Sequence, residues 1–329
     1  MTNYNKAKTS TVKAKEKSSN SKTYIREQKV IAKISFFSLL FDRVRNIAYR
    51  WLTANGLTLF SRGGDNIAFC TNVLGRYEVQ TCKILEQFAK DGNSDFLIDI
   101  GANIGISSCQ SGKYFGYVIM FEPNPLCVGI LQTNSALALP INSYKINPYG
   151  LGKRSEMAKL RIPKNNWGGA YLVSPENSYS PETLYKKDNL ESNDGDNYLI
   201  RDVEVRNAED VFSSLFENLR QNGRFSGSVK IDVEGLELEI LFALAKTLPD
   251  DMSVSIVFEY WENNFPGIRL LDKFEGRANL YALRRFPIRE SRSLAQYTKL
   301  MGHFYLRFIL EEWHEGHRNC DLVLKVSTK

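Results

Sequence analysis

The residues that could carry chemistry begin with an acidic side chain at the end of an apolar run. The run Phe96–Ile100 contains Asp99 near its end, and Gly101 and Gly105 follow before a segment that can open a helix. A buried strand, a glycine-rich turn and a helix form the first unit of a doubly wound α/β sheet, which binds ligands beyond the carboxyl ends of its strands. The two glycines allow the turn to bend sharply and to approach a ligand closely.

The turn after Asp99 does not fit the two common phosphate-binding loops. A dinucleotide loop of the G-x-G-x-x-G type needs a second glycine where Asn103 stands, and the Gly-Lys-Ser/Thr of a P-loop does not follow. A carboxylate in the turn would repel a pyrophosphate, whereas it suits a cationic ligand. S-adenosylmethionine carries an amino group and a sulfonium and has no phosphate, so the turn favours this ligand over a nicotinamide dinucleotide.

A second acidic residue lies at the end of the next apolar run. The segment Val118–Phe121 predicts another buried strand, and Glu122 follows it, 23 residues after Asp99. In nucleotide-binding α/β folds, an acidic residue at an offset of about 20 residues accepts hydrogen bonds from ribose hydroxyls. Glu122 is therefore the predicted partner of the ribose.

A third group of charged residues surrounds the end of the predicted fourth strand, residues 228–233. Because the first and fourth strands of such a sheet are neighbours, Asp232 is expected to face the crevice beside the glycine-rich turn. Lys230 precedes it, and Glu234 and Glu237 begin the next helix. These glutamates suit the positive end of the helix dipole, and alternatively the group serves as a base or binds a substrate hydroxyl.

Four segments, taken in order, resemble the signature blocks of the FkbM-type methyltransferases. They are Tyr77-Glu78 and residues 99–105, 121–125 and 230–235, and the resemblance covers about residues 74–262. It implies a class I methyltransferase fold, which is Rossmann-like, and S-adenosylmethionine as the methyl donor. It also implies O-methylation of a sugar, a glycan or another hydroxylated small molecule.

The residues and the resemblance together predict roles for single side chains. Cofactor contact is predicted for Tyr77, Glu78, Asp99, Gly101, Ala102, Asn103, Gly105, Glu122, Pro123, Asn124 and Tyr149. Catalysis is predicted for Asp232, Glu234 and Lys230, and acceptor binding for Trp167, Gly169, Glu237 and Glu259. Two of these segments also have a purely structural explanation. Tyr77-Glu78 suits the start of a helix, and the Trp-Gly-Gly segment suits a hairpin turn.

The predicted reaction has alternatives of other classes. A nicotinamide-dependent oxidoreductase and a non-catalytic scaffold that binds S-adenosylmethionine are both compatible with an α/β fold. A divalent metal held by Asp232 and Glu234 is a further alternative that the sequence does not favour. Where many family members have a histidine after the fifth strand, this chain has Tyr260 and Trp261, which excludes a histidine base there.

Composition limits the class of protein. With 329 residues, of which 43% are hydrophobic, the chain is expected to form one large domain with appendages. The net charge of +6 is concentrated near the start, so it does not imply nucleic acid binding. Five scattered cysteines favour reduced thiols in a cytoplasmic protein. No apolar run approaches about 18 residues, so no membrane-spanning helix is predicted. The start is basic and polar without an apolar segment after it, so no secretory signal is predicted.

The chain is predicted to divide into three parts. Residues 1–33 are a basic tail too polar to order itself, 34–73 a helical extension, and 74–329 the methyltransferase domain with an inserted β segment at about 156–207. Within 34–52, aromatic and aliphatic residues recur at helical spacing with arginines between them. This helix is expected to pack on the domain or on a second subunit, or to contact the inner face of a membrane together with the basic tail.

The remaining patterns predict elements further along the chain. Residues 57–72 are expected to form short strands or loops, 279–288 and 321–326 the last two strands, and 294–313 an apolar helix. His314, His317 and Cys320 have a metal-like spacing. Zinc normally takes four ligands, so this spacing is predicted to be coincidental.

Overall fold

The structure of the protein is a computed structural model. It describes residues 36–63, 66–75, 77–175, 177, 180, 195–260, 265–287, 306–315, 317 and 321–329. The predicted basic tail therefore lies outside the described residues. The chain divides into two units, Met1–Leu52 and Thr53–Lys329. The second unit begins earlier than the predicted boundary near residue 74.

The first unit contains helix α1, Phe36–Leu52. The second unit includes residues 53–74, which are tied to it by hydrogen bonds. The backbone N–H of Phe60 donates to Asn134 Oδ1 at 2.6 Å, and Asn134 Nδ2 donates back to the Phe60 carbonyl at 2.9 Å. These bonds hold Phe60 on the second unit, which therefore includes the later part of the predicted extension of 34–73.

The central sheet is built from strands on both sides of an inserted segment. Its strands are β1 (Phe96–Ile100), β2 (Val118–Phe121), β3 (Tyr144–Asn147), β8 (Ser226–Ile231), β9 (Ser253–Phe258), β10 (Ala278–Pro287), β11 (Leu306–Glu312) and β12 (Leu322–Val326). Within the described residues the order is β11-β10-β12-β9-β8-β1-β2-β3. The five strands from β9 to β3 are parallel, and the other three pair antiparallel at one edge.

Helices cover both faces of this sheet, as the alternating side chains of β1 show. The helices of the second unit are α2 (Asn66–Phe69), α3 (Val79–Lys90), α4 (Ile106–Ser111), α5 (Pro125–Ala138), α6 (Ala208–Gln221), α7 (Glu237–Thr247) and α8 (Gly267–Lys273). Phe96 and Ile98 share a core with residues of α6 and α7, whereas Leu97 packs with residues of α3 and α5. Burial on two faces explains the continuous apolar run, and the predicted doubly wound, mostly parallel fold is confirmed.

A second sheet is formed mainly by the segment predicted as an insertion at about 156–207, and one of its strands precedes that segment. Its strands are β4 (Gly150–Gly152), β5 (Glu156–Pro163), β6 (Tyr171–Leu172) and β7 (Tyr198–Asn207), in the order β4-β7-β5-β6. The chain passes from β5 to β6 through a 3₁₀ turn, Trp167–Gly169. This turn brings the second sheet to the edge of the crevice beyond β1 and β2.

Two predicted elements are wrong. The segment Leu306–Glu312 is strand β11, where a helix over 294–313 was expected, and the rest of that range up to residue 305 lies outside the described residues. Phe308 and Leu310 pack on the core while Ile309 is partly exposed, so the relevant period is two. Residues Asn66–Phe69 and Cys70–Leu74 are helical where strands or loops were expected.

The described residues also bear on membrane spanning and on disulfide bonds. None of the described helices is long and apolar enough to cross a membrane. Among the described cysteines, Cys70, Cys82, Cys109 and Cys127 are outside any disulfide, and the last two are buried. Cys320 lies outside the described residues.

Candidate active site

A cavity of about 270 Å³ lies at the carboxyl ends of β1, β2 and β8. Because β1 and β8 are adjacent and parallel, with Ile100 opposite Ile231, the turns that follow them lie side by side. Fourteen predicted site residues line the cavity: Tyr77, Glu78, Gly101, Ala102, Asn103, Glu122, Pro123, Tyr149, Trp167, Gly169, Lys230, Asp232, Glu234 and Glu259. Four others, Asp99, Gly105, Asn124 and Glu237, stand behind its wall.

Asp99 is buried under the cavity floor and does not line it. Its carboxylate accepts a hydrogen bond from Ser108 Oγ at 2.6 Å and faces Lys230 Nζ at 3.4 Å. Only 1% of Asp99 is exposed, so its predicted contact with the cofactor is replaced by a contact with Lys230. The negative charge expected to select a cationic ligand is thus paired within the protein.

Lys230 joins the first and fourth strands of the parallel sheet. Its Nζ atom lies 3.4 Å from Asp99 Oδ1, from Asp232 Oδ2 and from the Gly101 carbonyl oxygen. Burial alone would lower the pKa of this ammonium, but the nearby carboxylates of Asp99, Asp232 and Glu78 raise its pKa well above the usual value. Lys230 is therefore a fixed positive charge that orients Asp232 at the cavity.

Gly101 serves a close contact inside the protein. Its φ is +80°, and a Cβ atom built there would lie 1.8 Å from the carbonyl oxygen of Asp232. Gly105 also has φ +80°, and its Cβ would lie 2.5 Å from Leu131 Cδ1. Both glycines are thus required where expected, but the close approach is to the chain itself, whereas the sequence suggested approach to a ligand.

Glu122 closes the turn of β1 onto the turn of β2. One carboxylate oxygen accepts the Asn103 N–H and the other accepts the Asn124 N–H, each at 2.7 Å. Burial raises the pKa of Glu122 to about 7, although these two backbone bonds lower it. Each oxygen retains a lone pair, and the residue lines the cavity. Both features are needed in a residue that accepts hydrogen bonds from ribose hydroxyls.

Asn124 supports this turn from behind. Its side-chain oxygen accepts the Leu126 N–H at 3.1 Å and so caps α5, while Nδ2 donates to the Trp167 carbonyl at 3.3 Å. The residue is 1% exposed. Its predicted contact with the cofactor is therefore replaced by a link between the β2 turn and the Trp167 turn.

Tyr77 and Glu78 close another side of the cavity. Glu78 has φ +46° at the start of α3, and its carboxylate accepts a hydrogen bond from the Ser107 hydroxyl. Burial raises the pKa of Glu78 to about 7. Burial also raises the pKa of the Tyr77 phenol, and the charge of Glu78 adds to this effect. Both the cofactor role and the helix-start role of this pair remain compatible with its position.

Three carboxylates face the cavity near the end of β8, and a fourth does not. Asp232 and Glu234 line it from the turn after β8, and Glu259 lines it from the end of β9. Glu237 is 1% exposed, and its carboxylate accepts the Val233 and Gly235 N–H groups at 3.0 to 3.3 Å. Glu237 therefore holds the turn in shape, and its predicted contact with the acceptor is not supported.

The Trp167 turn forms another part of the cavity wall. The Arg62 guanidinium lies 4.7 Å from the Trp167 ring centroid and donates to the Lys164 carbonyl at 2.7 Å. A Cβ at Gly168 would lie 2.6 Å from Asn103 Nδ2, so the turn packs directly on the β1 turn. Trp167 is thus held as a flat aromatic surface beside the turns that follow β1 and β2.

Tyr149 lines the cavity at the end of β3. The Arg206 guanidinium lies 3.9 Å from its ring centroid, and the Phe121 ring meets it edge-on at 5.7 Å. Its hydroxyl donates to Asn147 Oδ1 at 3.4 Å. Burial raises the pKa of this phenol. The ring therefore offers a fixed aromatic wall, as contact with an adenine would require.

The sequence did not identify Ser107 and Asp321. Ser107 follows the glycine-rich turn, and that position could have marked it. Asp321 accepts a hydrogen bond from Gln80 and, with Glu78, Asp232 and Glu259, borders a small recess of about 20 Å³ beside Lys230. Burial and then the charge of Glu259 raise its pKa to about 7. Asp321 precedes the last strand, so only the sheet order brings it here.

The two histidines with metal-like spacing come together in the structure. Single ligand atoms of Glu311, His314 and His317 lie within 4.8 Å of one another. However, His317 Nδ1 accepts the His314 backbone N–H at 3.1 Å, and its Nε2 lies 3.4 Å from Glu311 Oε2. In a neutral His317 ring this pattern places the proton on Nε2. A nitrogen that carries a proton cannot bind a metal ion. We assign these side chains to a hydrogen-bonded turn.

Comparison with solved structures gives weak similarities. An FkbM methyltransferase from Methylobacillus flagellatus is 13% identical, with 86% of this chain and 60% of that chain covered and a TM-score of 0.34. An O-methyltransferase from Bacillus cereus, solved in complex with SAH, is 9% identical, with 93% and 96% covered and a TM-score of 0.36. Such low scores do not establish the fold, which follows from the sheet order described above.

Comparison of sequences is decisive for the family. A curated relative, the methyltransferase sdnD of Sordaria araneosa, is 28% identical over 184 residues, which is 54% of this chain and 70% of the relative. The family model described as the methyltransferase FkbM domain matches residues 99–278. That range covers more than half of the chain and contains the β1 turn, Glu122 and the carboxylates after β8. The chain therefore belongs to the FkbM methyltransferase family, as its signature blocks predicted.

Proposed function

We propose that the protein transfers a methyl group from S-adenosylmethionine to a hydroxyl oxygen of a sugar, a glycan or a similar small molecule. The charge of the cavity wall carries this proposal. Among the described residues that line the cavity, Lys230 is the sole basic side chain, and its charge is paired with Asp99 and Asp232. A pyrophosphate would meet no available cation there, whereas a sulfonium and an amino group are attracted to the carboxylates.

The chemistry of the lining residues fits the donor. Glu122 would hold the ribose hydroxyls with its remaining lone pairs, and the carboxylate of Glu78 would receive the amino group. The rings of Phe121 and Tyr149 offer an apolar wall for the adenine. A metal is not required by this arrangement, since each of these contacts is a hydrogen bond, an ion pair or an apolar contact.

The chain must align the acceptor and remove its proton. When bound, the donor supplies a methyl carbon that its sulfonium already activates. Asp232 is placed to accept the hydroxyl proton, because its carboxylate lines the cavity, is 30% exposed and is held by Lys230 at 3.4 Å. Glu234 lies beside it at φ +55°, a conformation that the turn imposes, and serves as a second acceptor for substrate hydroxyls.

The combination of Trp167 with carboxylates suits a hydroxylated ring. Trp167 offers a flat apolar surface, and Glu234 and Glu259 offer acceptors for hydroxyl groups on the same cavity. A sugar matches both features, because its C–H face is apolar and its hydroxyls donate hydrogen bonds. The acidic wall also disfavours acceptors that carry phosphate or carboxylate groups.

Binding and turnover can be separated experimentally. Titration calorimetry is expected to show binding of S-adenosylmethionine and S-adenosylhomocysteine and none of NADH. Incubation with methyl-labelled donor and a panel of neutral sugars and glycosides is then expected to give an O-methyl ether, identified by mass spectrometry. Binding of NADH alone would support the oxidoreductase alternative, and donor binding with transfer to no hydroxyl acceptor would contradict O-methylation.

The raised pKa values predict that donor binding depends on pH. The pKa values of Glu78 and Glu122 lie at about 7, above the ordinary 4.5, so both carboxylates gain a proton as the pH falls through about 7. The protonated groups accept hydrogen bonds less well and carry no charge. Affinity for S-adenosylmethionine should therefore fall as the pH decreases through about 7, by up to about tenfold per pH unit for each group.

Calorimetry between about pH 6 and 8.5 would measure this dependence. Glu122→Gln should bind more weakly at high pH and show a shallower pH slope, because one titrating group is gone. Glu217→Gln, on the exposed side of α6, is a matched control and should follow the wild type. An affinity that is flat over this range in the wild type would contradict the assigned roles of both glutamates.

A further inference from the structure

Helix α1 carries a cluster of large apolar side chains that are mostly exposed. Phe41, Val44, Ile47 and Trp51 are 64%, 58%, 70% and 78% exposed. Their spacing of three and four residues places them on one face of the helix, together with Leu52. A face this apolar on a helix that forms part of a separate unit indicates a binding surface.

The charges of α1 are ordered around this apolar face. At 3.6 residues per turn, Arg43 and Arg50 border the face on one side and Arg45 borders it on the other. The single acidic residue, Asp42, lies in the middle of the polar side and forms an ion pair with Arg45. An apolar face with cations along both borders matches the boundary between the acyl chains and the phosphates of a lipid surface.

We propose that α1 binds flat on an anionic lipid surface, with its apolar face in the acyl region and Arg43, Arg45 and Arg50 at the level of the lipid phosphates. The preceding sequence has the same charge preference, since residues 1–33 contain nine basic and two acidic side chains. Basic residues next to an interfacial helix increase its affinity for anionic lipids.

A second copy of the chain is another possible occupant of this face, and the charges of α1 disfavour it. Two α1 helices packed through their apolar faces would bring arginine borders against arginine borders. Asp42, the one acidic residue of α1, pairs with Arg45 on one border, and α1 offers no acidic residue beside Arg43 and Arg50 on the other. Like charges that meet across a helix interface are destabilising, whereas lipid phosphates supply the missing counter-charges.

Vesicle sedimentation tests the proposal with the full-length protein. Wild-type protein is expected to bind vesicles of phosphatidylcholine and phosphatidylserine, at least about tenfold more strongly than vesicles of phosphatidylcholine alone, and to dissociate at high salt. The variant Arg43→Gln/Arg45→Gln/Arg50→Gln should lose at least about tenfold in affinity. Ile47→Asp should lose as much, because it places a carboxylate in the acyl region.

Matched controls make the result specific to the helix. Ile141→Asp changes a side chain that is 90% exposed in the second unit and should bind vesicles like the wild type. Ile47→Asp should keep wild-type donor affinity by calorimetry, which shows that the protein is folded. Equal vesicle binding by wild type and Ile47→Asp would overturn the proposal, and so would a wild-type dimer in analytical ultracentrifugation that Ile47→Asp converts to a monomer without vesicle binding in either.

Deleting residues 1–33 separates the helix from the charged sequence before it. The truncated protein should bind the mixed vesicles more weakly than the full chain and still lose the remainder on Ile47→Asp. Equal binding by the truncated protein with and without Ile47→Asp would show that the remaining affinity does not come from the apolar face, and would overturn the role of α1.

Discussion

Asp232→Asn should lower the turnover rate at saturating substrates by about 10² to 10⁴, while S-adenosylmethionine binds within about threefold of the wild type. The substitution keeps the shape of the side chain and removes its ability to take a proton. Asp232 lines the cavity 3.4 Å from Lys230, which holds it in place. Single-turnover kinetics and calorimetry on the same preparation would separate the chemical step from donor binding.

The control for this experiment is an aspartate outside the cavity that also forms an ion pair with a lysine. Asp202→Asn removes an exposed aspartate that pairs with Lys159 on the second sheet, and it should leave turnover unchanged. Glu234→Gln tests the neighbouring carboxylate in the same turn and should reduce turnover less than Asp232→Asn. Rates within about threefold of the wild type in both variants would remove the base from this turn, and Glu259 would be tested next.

The same variants distinguish a proton acceptor from a metal ligand. If Asp232 takes the proton, a chelator leaves the wild-type rate unchanged, and the loss in Asp232→Asn depends on the acidity of the acceptor. If Asp232 and Glu234 hold a divalent cation, the chelator reproduces the loss in the wild type and added cation restores it. Only the first result supports the proposed mechanism.

The sequence predicts the part of the site that is built from single strand–turn–helix segments. A strand, a turn and a helix follow one another within about twenty residues, so the positions of Asn103, Glu122 and Asp232 after their strands follow from the chain order. Parallel neighbours then bring these turns together at one edge of the sheet. The same reasoning gives the doubly wound fold, since continuous apolar strands need helices on both faces.

The part that the sequence does not predict depends on distant backbone and on charge pairs. Asp99 was expected to face the ligand, but the partner that covers it, Lys230, lies 131 residues away in sequence. Glu237 was expected to face the acceptor, but two backbone N–H groups bind its carboxylate. The helical prediction failed at β11 because Phe308 and Leu310 fit a period of two as well as a helical stripe.

Gly101 is the position where this distinction has its largest consequence for stability. The turn after β1 passes directly under the turn after β8, where the Asp232 N–H donates to the Ile100 carbonyl at 2.9 Å. The carbonyl oxygen of the same Asp232 would lie 1.8 Å from a Cβ atom at position 101. A side chain there must push β1 and β8 apart at the centre of the sheet, because the two nearest atoms are the carbonyl oxygen and carbon of Asp232, which are backbone atoms.

Gly101→Ala should therefore lower the free energy of unfolding by at least about 4 kcal/mol, a loss in the range of severe core defects. The left-handed backbone conformation alone accounts for about 1 to 2 kcal/mol of this loss, and the clash with Asp232 accounts for the rest. Gly223→Ala isolates the first contribution, since Gly223 has φ +69° and no atom within 4 Å of the added Cβ. Urea denaturation of both variants, followed by circular dichroism, measures the difference.

The outcome also decides what the glycine-rich turn is for. If Gly101→Ala is destabilised several kcal/mol more than Gly223→Ala, the glycine serves the contact between β1 and β8, and its loss displaces Asp232 as well. Folded protein that remains should then lose turnover along with donor affinity. If the two variants unfold alike and only Gly101→Ala fails to bind S-adenosylmethionine, the close approach is to the ligand, and the contact between the two turns is not the reason for glycine at this position.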